Sequence, residues 1–510
     1  MHDYYPARCF ARMIAVSFFL ICWSYATGIA QTSPAVIPGD FADPTVIRTA
    51  KGYYAAGTSS EWAPHFPVYH STDLKKWTQT GYIFEKAPEW TAGSFWAPEY
   101  YRIGETYYLY YVARRKSDKI SCIGVATSKY PDREFKDHGI IIDYGKEAID
   151  PFIFKDGGQL YITFKAYGLD KRPIEILADK LSPDGLKAKG EIISLFKDES
   201  KIGLEGQAIL KKGKFYYLFY SAGNCCGADC SYHLKLARAT RFGGPYEKYQ
   251  TAELLKPTEG FKCAGHGTFV KNTSGKTFYL GHAYNERSNV FTGREAMLSA
   301  LTWPNENGWP DIEAVNTTMP LQGFKADFNT TTPGLYWQYD FQNSLPIVKH
   351  QNGKFHLSGK VFEKNTTGIV YGVRTITDHF AINTTVENEN TALKGLSLYG
   401  TVNAAVGIGV MNREVCAWIA TDGKFEKLDS VTISGKGPLQ LRMIMLPGQT
   451  CKMYYKERGN DWKELPAERN IPINFLPQWD RAPRAGLFFR GTESESAVFS
   501  DFSMDIPLRE

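Results

Sequence analysis

No charge sign dominates this chain. Its 59 Lys and Arg stand against 54 Asp and Glu over 510 residues, a formal charge of +5. That balance excludes a protein that grips nucleic acid by electrostatics and leaves a neutral partner. Long apolar runs are missing too. The stretch Met13 to Trp23 is about half of the roughly 20 residues needed to cross a bilayer, and no later segment supplies them, so no integral membrane span is expected. Extended apolar patterns of 3.6-residue period are scarce, which argues against a helical bundle. No Gly-x-Gly-x-x-Gly fingerprint lies between a strand and a helix, so no redox cofactor is implied. Aromatics, by contrast, are plentiful: 31 Tyr, 31 Phe and 11 Trp, residues that suit strands and stacking surfaces. With 43% hydrophobic residues there is mass for more than one core, and the expected fold class is all-β.

Residues 1–30 read as a secretory signal peptide: Arg8 and Arg12, the apolar run, then Ala26-Thr27-Gly28-Ile29-Ala30 ahead of Gln31. A secreted or periplasmic location follows as an expectation. Loss of that segment leaves Cys122, Cys225, Cys226, Cys230, Cys263, Cys416 and Cys451, an odd set in a disulfide-permitting setting, so at least one thiol stays unpaired. The cluster Cys225, Cys226 and Cys230, with Cys263 beyond it, reads as a zinc site or as a disulfide-braced loop. Its spacing matches no standard finger, and export suits bracing.

One aromatic strand pattern recurs five times. Tyr54, Tyr108, Tyr161, Tyr217 and Tyr279 mark it at steps of 54, 53, 56 and 62 residues, the scale of one four-stranded propeller blade with its loops. Segments such as Tyr69-His70-Ser71 and Ile123-Gly124-Val125 look like the next strand of each meander. The pattern predicts a five-bladed β-propeller over 31–315. Around Trp309-Pro310 the repeat stops; 316–332 has the Thr, Asn and Gly of a linker, and 333–510 carries short alternating strands, Gly334 to Phe341 among them, as expected of a β-sandwich.

Blade strands nearest a propeller axis open onto a central depression, where side chains distant in sequence converge. Asp43 and Asp150 each lie 11 residues before their marker tyrosine and Glu205 lies 12 before its own, so the three acids are expected in one equivalent slot. Carboxyls set among apolar strand residues cost free energy unless paired or used in chemistry. Three around one depression suit glycosidic hydrolysis: one protonated acid for the leaving oxygen, one ionised base for water, and a third to tune them.

The motifs Pro38-Gly39-Asp40-Phe41-Ala42-Asp43-Pro44, Phe95-Trp96-Ala97-Pro98-Glu99, Ile149-Asp150-Pro151, Leu204-Glu205-Gly206 and Ala264-Gly265-His266-Gly267-Thr268, then Gly293-Arg294, resemble the family 43 glycoside hydrolases. That resemblance implies an inverting, exo-acting enzyme that releases terminal arabinofuranosyl or xylosyl units from plant-type polysaccharides or oligosaccharides. It implies Asp43 as general base, Glu205 as general acid, and Asp150 as the group that raises and orients the acid. Trp96, His266 and Arg294 become candidate substrate-binding residues. No cofactor is required, and His266 is a candidate neighbour of a structural calcium ion or water. The C-terminal segment resembles the concanavalin-like sandwich of some family members, in which a sandwich loop helps close the pocket. Two other readings stand beside this one: a non-catalytic carbohydrate-binding protein using Trp96 and Trp337 as platforms, and the same enzyme class acting on galactofuranosyl or galactosyl linkages. The Cys-rich loop is expected on the rim, there to brace the fold or to narrow the pocket.

Overall fold

The computed structural model describes residues 30–507 except 168–172, 251–253, 257, 289, 305–307, 363 and 436. The expected signal peptide, but for Ala30, lies outside the described residues. Among the described residues every named element is a strand, and no helix is long and apolar enough to cross a membrane.

Five four-stranded antiparallel meanders come first. Blade I runs from Thr45–Thr49 to Thr78–Phe84, blade II from Thr91–Ile103 to Lys136–Ile142, and blade III from Glu147–Asp156 to Ile193–Lys197. Blades IV and V start at Leu204–Lys212 and Phe261–Lys271. Each marker tyrosine sits in the second strand of its blade, as the repeat predicted. The aromatic density has a physical cause. Side chains alternate across a strand, and every blade is buried on both faces. In Thr106–Arg115, Tyr108, Tyr110 and Val112 pack toward blade III, whereas Leu109, Tyr111 and Ala113 pack toward blade I. Tyr217 and Phe219 likewise face blade V, and Tyr216, Leu218 and Tyr220 face blade III. The fifth interblade core joins Val46 and Tyr53 of blade I to Val270, Leu280 and Leu298 of blade V, so the blades follow one another in a ring. Residues just before blade I tighten this junction: the N–H groups of Val36 and Phe41 donate to the carbonyls of Ala296 and Arg294.

The second unit is a sandwich of a nine-stranded and a six-stranded sheet, enclosing one core from Phe328 to Met504. Within 316–332, Met319–Pro320 pairs with Thr32–Ser33, and Phe324–Lys325 pairs with the final strand Ala497–Asp505. The strand expected over 334–341 shrinks to Tyr339–Asp340, which pairs with Trp62–Ala63 of the propeller. Trp337 is 2% exposed inside the sandwich core; it cannot serve as a surface platform, because its rings are spent on packing against Phe355, Tyr371 and Phe502.

The two units are joined by buried contacts. Trp62 inserts among Tyr399, Trp418 and Phe488 beneath the Arg484 guanidinium. Arg484 also pairs with Asp40 at 3.2 Å and donates to Gln338 at 2.8 Å. Asp40 of the Pro38–Pro44 motif thus stands at the interface. Gly39 has φ +79°, and a Cβ there would lie 2.7 Å from the Thr375 carbonyl, so a larger residue would push the units apart.

All four clustered cysteines are oxidised, as Cys225–Cys226 and Cys230–Cys263, which removes the thiolates a zinc site requires. Cys122, Cys416 and Cys451 are free and buried. The Cys230–Cys263 bond, across 33 residues, ties the loop after blade IV to the first strand of blade V. Closing a loop of that length is worth about 3–4 kcal/mol in the chain-entropy account. Replacing both cysteines with serine should lower Tm by roughly 5–7 °C in a thermal melt.

Candidate active site

One local device builds the site. In blades II to V the innermost strand carries one extra residue against its neighbour, between Trp96 and Glu99, Ile149 and Phe152, Glu205 and Ala208, and Gly265 and Thr268. The second residue of each quartet has left-handed φ: Ala97 42°, Asp150 57°, Gly206 58° and His266 25°. Asp43, with φ 50°, holds the same place just ahead of Thr45–Thr49 in blade I. Such a bulge turns a side chain out of the ladder, and Asp and Gly suit it because they tolerate positive φ.

Asp43 and Asp150 therefore occupy equivalent slots, but Glu205 does not. It stands one position earlier, and Gly206 fills the slot of blade IV. The 12-residue spacing of Glu205, against 11 for the other two acids, is the trace of that offset. His266 is the fifth blade's occupant of the slot. A Cβ on Gly206 would come 2.7 Å from the His266 ring, so the glycine makes room for the imidazole.

Asp43, Asp150 and Glu205 line one cavity of about 330 Å³, together with Trp96, His266 and Arg294. All six residues singled out from sequence are thus brought together. Asp43 is the most heavily compensated. Its Oδ1 accepts from Arg294 Nη1 at 2.8 Å and lies 3.3 Å from His266 Nδ1, and its Oδ2 accepts from the Thr58 hydroxyl at 2.7 Å. Burial pushes this carboxyl up, but the Arg294 and His266 charges outweigh it and hold Asp43 well below the usual carboxylate range. Behind it, His282 is kept neutral by burial and by Arg294, and its Nδ1 accepts the Asp43 N–H at 3.0 Å.

Asp150 and Glu205 form a different environment. Lys165, opposite Ile149 in the second strand of blade III, donates to Glu205 Oε2 at 2.5 Å. Asp150 Oδ2 accepts the N–H of Gly206 at 2.9 Å, and Gln207 Nε2 donates to the Asp150 carbonyl. Burial and the neighbouring Glu205 charge raise Asp150 to about 6, with His266 pulling the other way. Burial also opposes ionisation of Glu205, yet the Lys165 ammonium overrides it and lowers that acid. Of the pair, Asp150 is therefore the group that takes up a proton first as the pH falls. His266, although desolvated, is raised to about 9 by Asp150 and Asp43 and is an imidazolium. Among the described residues no group of three or more His, Cys, Asp or Glu side chains is placed to hold a metal ion beside it.

The sandwich supplies residues that sequence reading missed. Trp479 and Asp480, from the loop before Arg484–Arg490, line the cavity. Asp480 Oδ2 accepts the indole N–H of Trp96 at 2.9 Å, and the Asp480 carbonyl accepts from Arg294 at 3.2 Å. Trp479 is 58% exposed at the mouth. Cys225 and Cys226 line the cavity as well, placing that part of the loop in the pocket wall.

Residues 32–310 match the family described as Glycosyl hydrolases family 43, and the chain belongs to that family; it is a glycoside hydrolase. It is 28% identical over 328 residues to the extracellular exo-alpha-(1->5)-L-arabinofuranosidase ArbA of Cellvibrio japonicus (strain Ueda107), covering 58% of this chain and 90% of that one. It is 26% identical to the extracellular endo-alpha-(1->5)-L-arabinanase 1 of Bacillus subtilis (strain 168), over 52% of this chain and 86% of that protein. Among solved structures, xylan beta-1,4-xylosidase from Bacillus Halodurans C-125 superposes with a TM-score of 0.78 at 19% identity, covering 94% of this chain and 100% of that one. The fold shared with the xylosidase spans both units.

Proposed function

We propose that this enzyme is an inverting, exo-acting hydrolase that releases terminal arabinofuranosyl or xylosyl units from plant-type polysaccharides or oligosaccharides outside the cell. The observation that carries the reading is the pair of walls around the carboxyls. The disulfide loop at Cys225 and Cys226 stands on one side and the sandwich residues Trp479 and Asp480 on another, with Asp480 tied to both Trp96 and Arg294. A cavity so walled suits a chain end better than a chain passing through.

In this reading Asp43, held ionised by Arg294 and His266, orients a water and takes its proton as the water attacks the anomeric carbon. Glu205 gives a proton to the departing oxygen. Asp150 raises and orients that acid: a bound sugar that draws Lys165 away from Glu205 leaves Glu205 beside the Asp150 carboxyl, which favours its protonated form. Arg294 and His266 stay charged throughout and fix the base in place.

A panel of nitrophenyl arabinofuranosides, xylosides, galactofuranosides and galactosides, followed by digestion of end-labelled arabinan and xylan oligomers, tests the proposal. Turnover confined to the pentosides is expected. Single sugars should leave the unlabelled end, and NMR should show each first released with inverted anomeric configuration. A ladder of internal fragments would overturn exo action, and a retained anomer the inverting mechanism. Affinity without new reducing ends would replace the enzyme by a binder.

A further inference from the structure

The Cys225–Cys226 bond joins neighbouring residues. Such a link closes almost no chain, so the entropy gain that stabilises ordinary cross-linked proteins is absent. Bracing of this loop is done elsewhere. Cys230–Cys263 anchors its far end, the backbones of Asn224 and Ser231 are hydrogen-bonded, and Lys262 donates to the Ala228 carbonyl. Yet both sulfur-bearing residues line the cavity that holds the three acids. The bond's location, rather than fold stability, accounts for it.

The remaining wall mixes the ionisable side chains of Asp43, Asp150, Glu205, Lys165, His266 and Arg294 with the apolar surfaces of Trp96, Ile149, Tyr167, Ile174 and Trp479. The ionisable groups suit the hydroxyls and the scissile oxygen of a sugar, and its C–H face needs apolar surface. A disulfide adds to that surface. It is polarisable, accepts hydrogen bonds only weakly, and needs little desolvation. Being cyclic, it also has no side-chain rotamers left to lose on binding.

We propose that the Cys225–Cys226 disulfide is one apolar wall of the terminal-sugar site, packed against the C–H face of a pentosyl ring and leaving no room for the extra hydroxymethyl group of a hexosyl one. The proposal rests on the pentosyl reading above and names the element that enforces it. One methylene-sized group in an apolar pocket is worth about 10–200-fold in discrimination, which sets the scale of the effect.

The test uses the full chain with both residues changed, Cys225→Ala and Cys226→Ala, on the same glycoside panel. KM for the preferred pentoside should rise about tenfold with kcat changed less than about threefold, and the preference for pentoside over hexoside should narrow about tenfold. A lower Tm with KM and sugar preference intact would make the bond a brace and overturn the proposal. Reduction of the folded wild-type enzyme with a phosphine, the released thiols mapped by mass spectrometry, gives a second measurement that needs no variant. Reduction at Cys225 and Cys226 should raise KM in the same way, and an unchanged KM overturns the proposal, as does finding both residues as free thiols in the purified protein. Wild-type turnover separates the two ideas. If no pentoside is hydrolysed, the pentosyl reading fails and takes this one with it; if pentosides are hydrolysed, the variant and the reduced enzyme decide.

Discussion

Glu205→Gln should lower kcat on a natural glycosidic linkage by about 1,000- to 10,000-fold, about 4–5 kcal/mol of barrier, while leaving the fold intact. The amide keeps the shape of the carboxyl and can still accept from Lys165, which also feels the charges of Asp150 and Glu147. What it lacks is a transferable proton. The loss should therefore follow the leaving group. A dinitrophenyl glycoside, whose phenolate departs unaided, should lose less than about 100-fold. The pH profile supplies an independent reading. Burial together with the adjacent carboxylate raises Asp150 to about 6, so the Asp150–Glu205 pair takes up a proton as the pH falls through that region. Wild-type kcat/KM should fall as the pH rises through that region, because the proton to be donated is then gone. The variant should lose this alkaline limb on the activated substrate. Equal losses on both substrates would remove Glu205 from the role of proton donor.

Much of the architecture was written in local pattern. A blade buried on both faces needs large apolar residues at consecutive positions of its second strand, and runs such as Thr106 to Tyr111 and Phe215 to Tyr220 announce it. The acids were legible for a related reason: a left-handed bulge position that faces a central cavity tolerates Asp and Gly well, and the recurrence of Asp-Pro made two of the five visible. The third acid was placed in the wrong slot, since a one-residue step in a bulged strand cannot be seen without its partner's register. Lys165 left a fainter signal, a lone charge inside the otherwise uncharged strand Gln159–Tyr167. Only the pairing of Ile149 with Lys165 shows that it reaches Glu205. Trp479 and Asp480 left no local signal at all. They meet the cavity because Trp62, Asp40 and Arg484 fix the sandwich on the propeller, a contact between segments more than 400 residues apart.

Asp43→Asn should also suppress hydrolysis, by about 10,000-fold at the upper end of what a general base contributes, and here stability should change as well. Asn suits the left-handed backbone at this position, φ 50°, so the substitution adds no backbone strain. It does leave Arg294, 4% exposed, without the carboxylate it contacts at 2.8 Å. Removing one partner of a buried pair costs about 3–5 kcal/mol, to be read as a lower Tm in a thermal melt. Lost activity alone would then be ambiguous, and azide resolves it. The small anion takes the place of water and needs no base to attack, while Glu205 still protonates the leaving oxygen. Azide should therefore restore cleavage of an activated glycoside and yield a glycosyl azide of inverted configuration, provided the rest of the cavity is folded. A folded Asp43→Asn enzyme that hydrolyses within tenfold of wild type would take the base role from Asp43. A folded variant that azide fails to rescue would make Asp43 chiefly the counter-charge of Arg294 and His266, and the water would then have to be activated from another side of the cavity.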